Sequence, residues 1–201
     1  MRVNVHSRMD VDQPARSNKK PDILLAALSL FAERGFHGTS VPEIARTAGV
    51  AAGTIYRHFE SKEALVNELY RRSKAALMAH LYTGLRLDGD LRLLFGMFWG
   101  NLASFARSES MAFQFLELHH HGTYLDPTSL DLERGSLEPI AKLLEHSTAV
   151  ELMKPMPPAA MMSIVWGAFV RLIKSEKEGY LDLDDHVLAQ AEQACWDAIT
   201  R

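Results

Sequence analysis

The stretch from Thr39 to Lys62 constrains this chain more than any other. Ser40 is a strong N-cap and Glu43 follows at the spacing of a capping box, in which each side chain satisfies the other residue's backbone N–H. Pro42 falls in the first helical turn, where a missing N–H costs nothing. Ile44, Ala45 and Ala48 then share one helical face, and Gly49 supplies the positive φ that ends a helix sharply. Val50 fills the corner. A second helix is expected from about Ala51, with Ile55 and Phe59 turned inward at i, i+4. Its outer face carries Ala52, Gly53, Thr54, Tyr56, Arg57 and His58. Small residues beside hydroxyls and cations suit a helix pressed against a phosphate-lined groove. The pattern is a helix-turn-helix whose second helix is the reader.

The run G-T-S-x-x-x-I-A-x-x-A-G-V-x-x-G-T-I-Y-x-H-F-x-S-K-E-A-L, with its surroundings from Pro21 to Leu69, resembles the N-terminal domain of tetracycline-repressor-type (TetR family) regulators. The resemblance implies an all-helical repressor that dimerises, binds a palindromic DNA operator and lets go when a small ligand enters its C-terminal domain. It places Ser40, Thr54, Tyr56, His58 and Lys62 at phosphate-contacting positions. Hydroxyls and an imidazole can donate to phosphate oxygens, and Lys62 lies at a helix N-terminus, which favours anions. Such contacts set position, whereas contacts to base edges set sequence. The variable reading positions carry Ala51, Ala52, Gly53 and Arg57. Ala52 can touch a thymine methyl and Arg57 can fork onto a guanine. Pro42 stands where some relatives have a polar base reader, and Ala51 replaces a commoner capping Ser. Readout is therefore expected to lean on few polar contacts and on DNA shape.

A net charge of −3 looks wrong for a DNA binder. Splitting the chain resolves this. Residues 1–80 hold 12 Lys/Arg against 8 Asp/Glu, a balance of +4, and residues 81–201 hold 10 against 17, a balance of −7. The positive half contains the helix-turn-helix, where phosphate contact needs it. The chain of 201 residues is 47% hydrophobic and can bury a real core. No apolar run approaches a membrane span, and the charged N-terminus lacks the apolar region of a secretory signal. The single cysteine, Cys195, excludes an internal disulfide, fits a reducing cytoplasm and reads as a small core or interface residue.

The expected architecture is all-α, with a three-helix helix-turn-helix head and a helical C-terminal bundle, about nine helices in total. Residues 1–20 read as a flexible basic arm ending in Arg16, Lys19 and Lys20. Residues 21–82 form the DNA-binding domain, with the helix-turn-helix at about 40–59. It closes with a long helix capped by Ser61, on which Arg71, Arg72 and Lys74 read as a solvated face. Residues 83–201 form the ligand-binding and dimerisation domain. One helix is expected at about Met111 to Gly122 and another from Asp126 through Leu144. Helices near 159–178 and 185–199 are apolar on more than one side, which suits a second subunit.

Aromatic and methionine side chains gather on three of the C-terminal helices. Phe95, Phe98, Trp99 and Phe105 fall on one helix and Phe113 and Leu116 on the next. Met162, Trp166 and Phe169 fall on a third. They are candidates to line a pocket for an apolar or aromatic effector, with His120 as a polar wall. Glu117, His120 and His121 share i, i+3 and i, i+4 spacing, the only support for an alternative, a metal-dependent enzyme on a helical bundle. Consecutive histidines on a helix point about 100° apart, so one helix cannot converge three ligands on a metal. The chain has no second Glu-x-x-His, phosphate loop, nucleophile elbow or dinucleotide fingerprint. No metal, cofactor or catalytic residue is expected.

Overall fold

Each expected helix start is written in local hydrogen bonds. In the computed structural model, which describes residues 18–149 and 151–201, Ser61, Asp90, Asp126 and Asp184 each accept the backbone N–H three residues on. Each thereby satisfies one of the donors a helix N-terminus leaves open. The described residues form ten helices and no strand ladder. The head is α1 (Lys20–Arg34), α2 (Val41–Thr47) and α3 (Ala52–Tyr56), followed by the long connecting helix α4 (Lys62–Leu81). The body is α5 (Leu91–Ser108), α6 (Ser110–Glu117), α7 (Pro127–Gly135), α8 (Glu138–Ala149), α9 (Pro158–Lys177) and α10 (Asp185–Ile199).

The head closes over Ile23, Ala27, Phe31, Ile44, Ile55, Phe59 and Leu65, all buried. The body closes over Trp99, Leu102, Phe105, Phe113, Met161 and Phe169. Phe31 of α1 stacks on Phe115 of α6 at 6.2 Å, so the two cores are continuous. Cys195 is free and buried, and burial raises its thiol above the ordinary range. No helix among the described residues is long and apolar enough to cross a membrane.

Four expectations are corrected. Of the basic arm, residues 1–17, including Arg16, lie outside the described residues. Its end is not loose: Lys19 pairs with Asp22, and Lys20 opens α1 and pairs with Glu68 of α4 at 2.7 Å. The helix expected to Gly122 stops at Glu117, because the His121 ring nitrogen reaches back 2.6 Å to the Phe115 carbonyl and satisfies an end-of-helix acceptor. Glu117, His120 and His121 therefore do not share a helical face. The stretch from Asp126 is two helices, interrupted at Ser136 and Leu137, where Tyr82 at the end of α4 donates to the Ser136 carbonyl. Finally, Arg71 and Lys74 are not solvated. Lys74 is 4% exposed and pairs with Glu133 at 2.6 Å, while Arg71 binds Asp126 and Ser129. Arg72 alone faces solvent, paired with Glu68.

Candidate functional site

The helix-turn-helix is built as its residues dictate. Ser40 accepts from the Glu43 N–H while the Glu43 carboxylate accepts from the Ser40 N–H at 2.9 Å, closing both halves of the capping box. The hydrogen bonds from Ser40 hold the Glu43 carboxyl below its usual range, and Arg34 supports the same charge from 3.2 Å. Gly49 takes φ +64°, the left-handed conformation that turns α2 away. Ile55 and Phe59, 1% and 4% exposed, pin the second helix to the core.

That anchoring leaves one face of α3 and its following turn open. Tyr56 is 56% exposed and makes no intramolecular hydrogen bond among the described residues. Arg57 and His58 are exposed beside it, and Arg57 donates to the Thr54 hydroxyl at 3.1 Å, which leaves that hydroxyl's own proton free. Gly53 is exposed, and a Cβ built there would touch nothing within 4 Å. Ala52 is only half-exposed, packing partly on the core. α3 itself is short, ending at Tyr56, so Arg57 and His58 project from a tight turn instead of a further helical turn. Ser40 sits exposed at the start of α2. Lys62, the remaining expected phosphate contact, is half-buried. Its ammonium lies 4.0 Å from the centre of the Phe36 ring, and burial lowers its pKa. The expected DNA contacts thus lie along one exposed edge of the head, with Lys62 held at its margin.

Behind this edge, α4 is joined to α7 by a polar clamp. Asn67 donates to the Tyr124 carbonyl and accepts from the Asp126 N–H, each at 2.8 Å. Arg71 reaches Asp126, and Tyr70 and Lys74 both reach Glu133. Burial acts to raise the Glu133 carboxyl, but hydrogen bonds from Lys74 and Tyr70 outweigh it and its pKa is lowered. The signal for this clamp was present in the sequence as the i, i+3, i+4, i+7 spacing of Asn67, Tyr70, Arg71 and Lys74.

The body contains an apolar cavity of about 70 Å3 between α5, α8, α9, α10 and the loop before α5. Phe95, Phe98, Met162 and Trp166 line it, as do Leu137 and Trp196, which the sequence did not single out. Trp99, Phe105, Phe113, Leu116 and Phe169 are instead packed in the core beside it, and His120 is exposed. Among the described residues no cluster of His, Cys, Asp and Glu could hold a metal. The side chains once grouped by spacing diverge. Glu117 accepts from the Trp166 indole at 2.6 Å, and His121 bonds Tyr124 and the Phe115 carbonyl. Neighbouring His119 bonds the Ala32 carbonyl of α1 at 2.8 Å.

Residues 23–69 match the model for bacterial regulatory proteins of the tetR family, and residues 70–201 match the tetracyclin repressor-like C-terminal domain. The chain belongs to the TetR family. Its relatives are DNA-binding transcription regulators rather than enzymes. A TetR-family transcriptional regulator from Vibrio parahaemolyticus is 30% identical, with a TM-score of 0.73 over 92% of this chain and all of that one. A TetR regulator from a Shewanella species is 28% identical, with a TM-score of 0.75 over 92% and 99% of the two chains. Among curated proteins, the HTH-type transcriptional repressor KstR2 of Rhodococcus jostii is 43% identical over 60 residues. That alignment spans 30% of this chain and only 29% of KstR2.

Proposed function

We propose that this TetR regulator is a ligand-responsive repressor that binds a palindromic operator as a homodimer, in the cytoplasm, and is released by a small apolar or aromatic molecule. One observation carries the DNA contact: Gly53, Thr54, Tyr56, Arg57 and His58 form an open face on a helix whose other side is locked down by Ile55 and Phe59. A rigid helix with small residues, hydroxyls and cations outward suits the major groove. Tyr56, Thr54, His58, Ser40 and Lys62 bind phosphate, and Arg57, Gly53 and Ala52 approach the bases. The partner subunit packs on the outer faces of α9 and α10, where Ser163, Ile164 and Gly167 leave an exposed, small-to-apolar strip. The effector enters the cavity at Phe95, Phe98, Met162 and Trp166, whose walls offer it apolar contact and almost nothing to hydrogen-bond.

The test is fluorescence anisotropy on duplexes tiled across the DNA flanking the gene, at two salt concentrations, with Tyr56→Ala alongside. Tight, salt-sensitive binding to one near-palindrome, lost in the variant, is the expected result. Equal, weak binding to every duplex by both proteins would remove the operator from the proposal.

A further inference from the structure

The sequence Glu117-Leu118-His119-His120-His121 has no place in DNA contact, and its residues do not gather at a metal. Its first member nonetheless occupies a particular position. Trp166 lines the apolar cavity, and its indole N–H donates to the Glu117 carboxylate at 2.6 Å. This is a hydrogen bond between the cavity wall on α9 and the last residue of α6. On its other side the Glu117 carboxyl is within electrostatic reach of Lys74, which favours its charge, and of Glu133, which opposes it. Those two are the buried ion pair that clamps α4 to α7. Lys74 has a side chain 5% exposed, so its ammonium depends on the few anions around it.

We propose that Glu117 is the positioning residue through which an occupant of the cavity acts on α4. An occupant crowds the Trp166 indole, and a bond at 2.6 Å has no slack. Moving the indole either drags the carboxylate or leaves it without its donor. Both change the charge environment of Lys74 and loosen its hold on Glu133. α4 carries Lys62 at its first turn and Lys74 in its interior, so the disturbance reaches the DNA-binding edge along one rigid helix. The chain of contacts is contiguous: cavity, Trp166, Glu117, Lys74 with Glu133, then α4. The inference rests on the proposed effector reading for its biological meaning.

The test needs neither ligand nor operator. Val165 is 6% exposed and lines the cavity beside Trp166. Val165→Phe in the full-length chain places a ring in the space an occupant would take. Amide hydrogen exchange across α4 then reports whether the clamp opens. Val165→Phe is expected to speed exchange around Lys74 by about tenfold. Combined with Glu117→Gln, which keeps an acceptor for the indole but deletes the charge, the added ring should change exchange by less than about threefold. Trp166→Phe, which deletes the donor, should suppress the effect equally. A purely structural role for Glu117 would shift the baseline without removing this coupling. The proposal is overturned if Val165→Phe leaves α4 unchanged, or if its tenfold effect persists in either background. Val165→Leu serves if the larger ring prevents folding, judged by circular dichroism. Thermal shift with naphthalene, toluene and decane runs in parallel. No stabilisation by any of the three would overturn the apolar-effector reading, whereas the exchange cycle alone decides the relay.

Discussion

The ammonium of Lys62 lies 4.0 Å from the centre of the Phe36 ring, and that ring stacks on Tyr124 at 4.3 Å. A cation at the margin of the DNA-binding edge is therefore held by the loop after α1 and, through it, by the body. A cation–π contact of this kind contributes about 0.5–1 kcal/mol. It also limits where Lys62 can reach. Lys62→Gln should weaken binding by a similar factor on every duplex and lower the salt slope by about one, the signature of one lost phosphate contact. A loss confined to one sequence would show that Lys62 reads bases instead.

Gly53 offers a separation of folding from binding. Its backbone is not left-handed and a Cβ there would meet nothing, so nothing inside the chain requires glycine. Glycine within a helix costs roughly 0.5–1 kcal/mol relative to alanine. Gly53→Ala should therefore raise the melting temperature of the free protein. On DNA the extra methyl group stands between α3 and the groove, and affinity should fall about tenfold or more. A paired measurement of melting temperature and anisotropy checks both halves. A variant that gains stability and keeps full affinity would place Gly53 away from the DNA.

These two positions show how unevenly the sequence could be read. The helix-turn-helix was legible because its signals are local: a capping box, a positive-φ glycine and two inward residues one turn apart. Lys62 was legible as a cation at a helix start, but its seat on Phe36 was not, since that contact joins residues far apart in the chain. The same limit hid the clamp. Arg71 and Lys74 look solvated on a helical wheel until α7 brings Asp126 and Glu133 against them. Around the cavity, aromatic content identified the right helices but could not say which side of each was inward. Phe98 lines space while neighbouring Trp99 fills the core. The Glu117–His121 spacing misled because it assumed a helix that His121 itself helps to end.

The clamp predicts a specific acid response. The Glu133 carboxyl titrates below its ordinary 4.5, so the folded state prefers the anion more than the unfolded chain does. Its contribution is present above that ordinary value and is lost as pH falls through the lower folded value. Glu133→Gln should destabilise the protein by about 3 kcal/mol at neutral pH, because it leaves the Lys74 ammonium buried without its partner. The difference between the two proteins should shrink steadily below about pH 4.5 as the wild-type carboxylate gains its proton. Urea unfolding at several pH values measures it. A difference that stays constant into acid would mean the pair carries no such linkage.

The dimer can be tested with the same reasoning as Gly53. Gly167 is exposed on α9, between Ser163 and Ile164 on one side and Arg171 on the other, and a Cβ added there meets nothing in its own protomer. Gly167→Arg should therefore leave the fold intact by circular dichroism. A long cation on the face proposed to meet the partner's α9 and α10 would instead obstruct that contact and remain unpaired within it. The variant should run as a monomer in light scattering where the wild type runs as a dimer. A lone protomer carries one reading helix and cannot span two half-sites. Its affinity for the operator should fall on the order of a hundredfold, while its weak, salt-sensitive hold on arbitrary DNA changes little. A variant that stays dimeric would move the interface off this face of α9, and a monomer with full operator affinity would separate DNA recognition from dimerisation altogether.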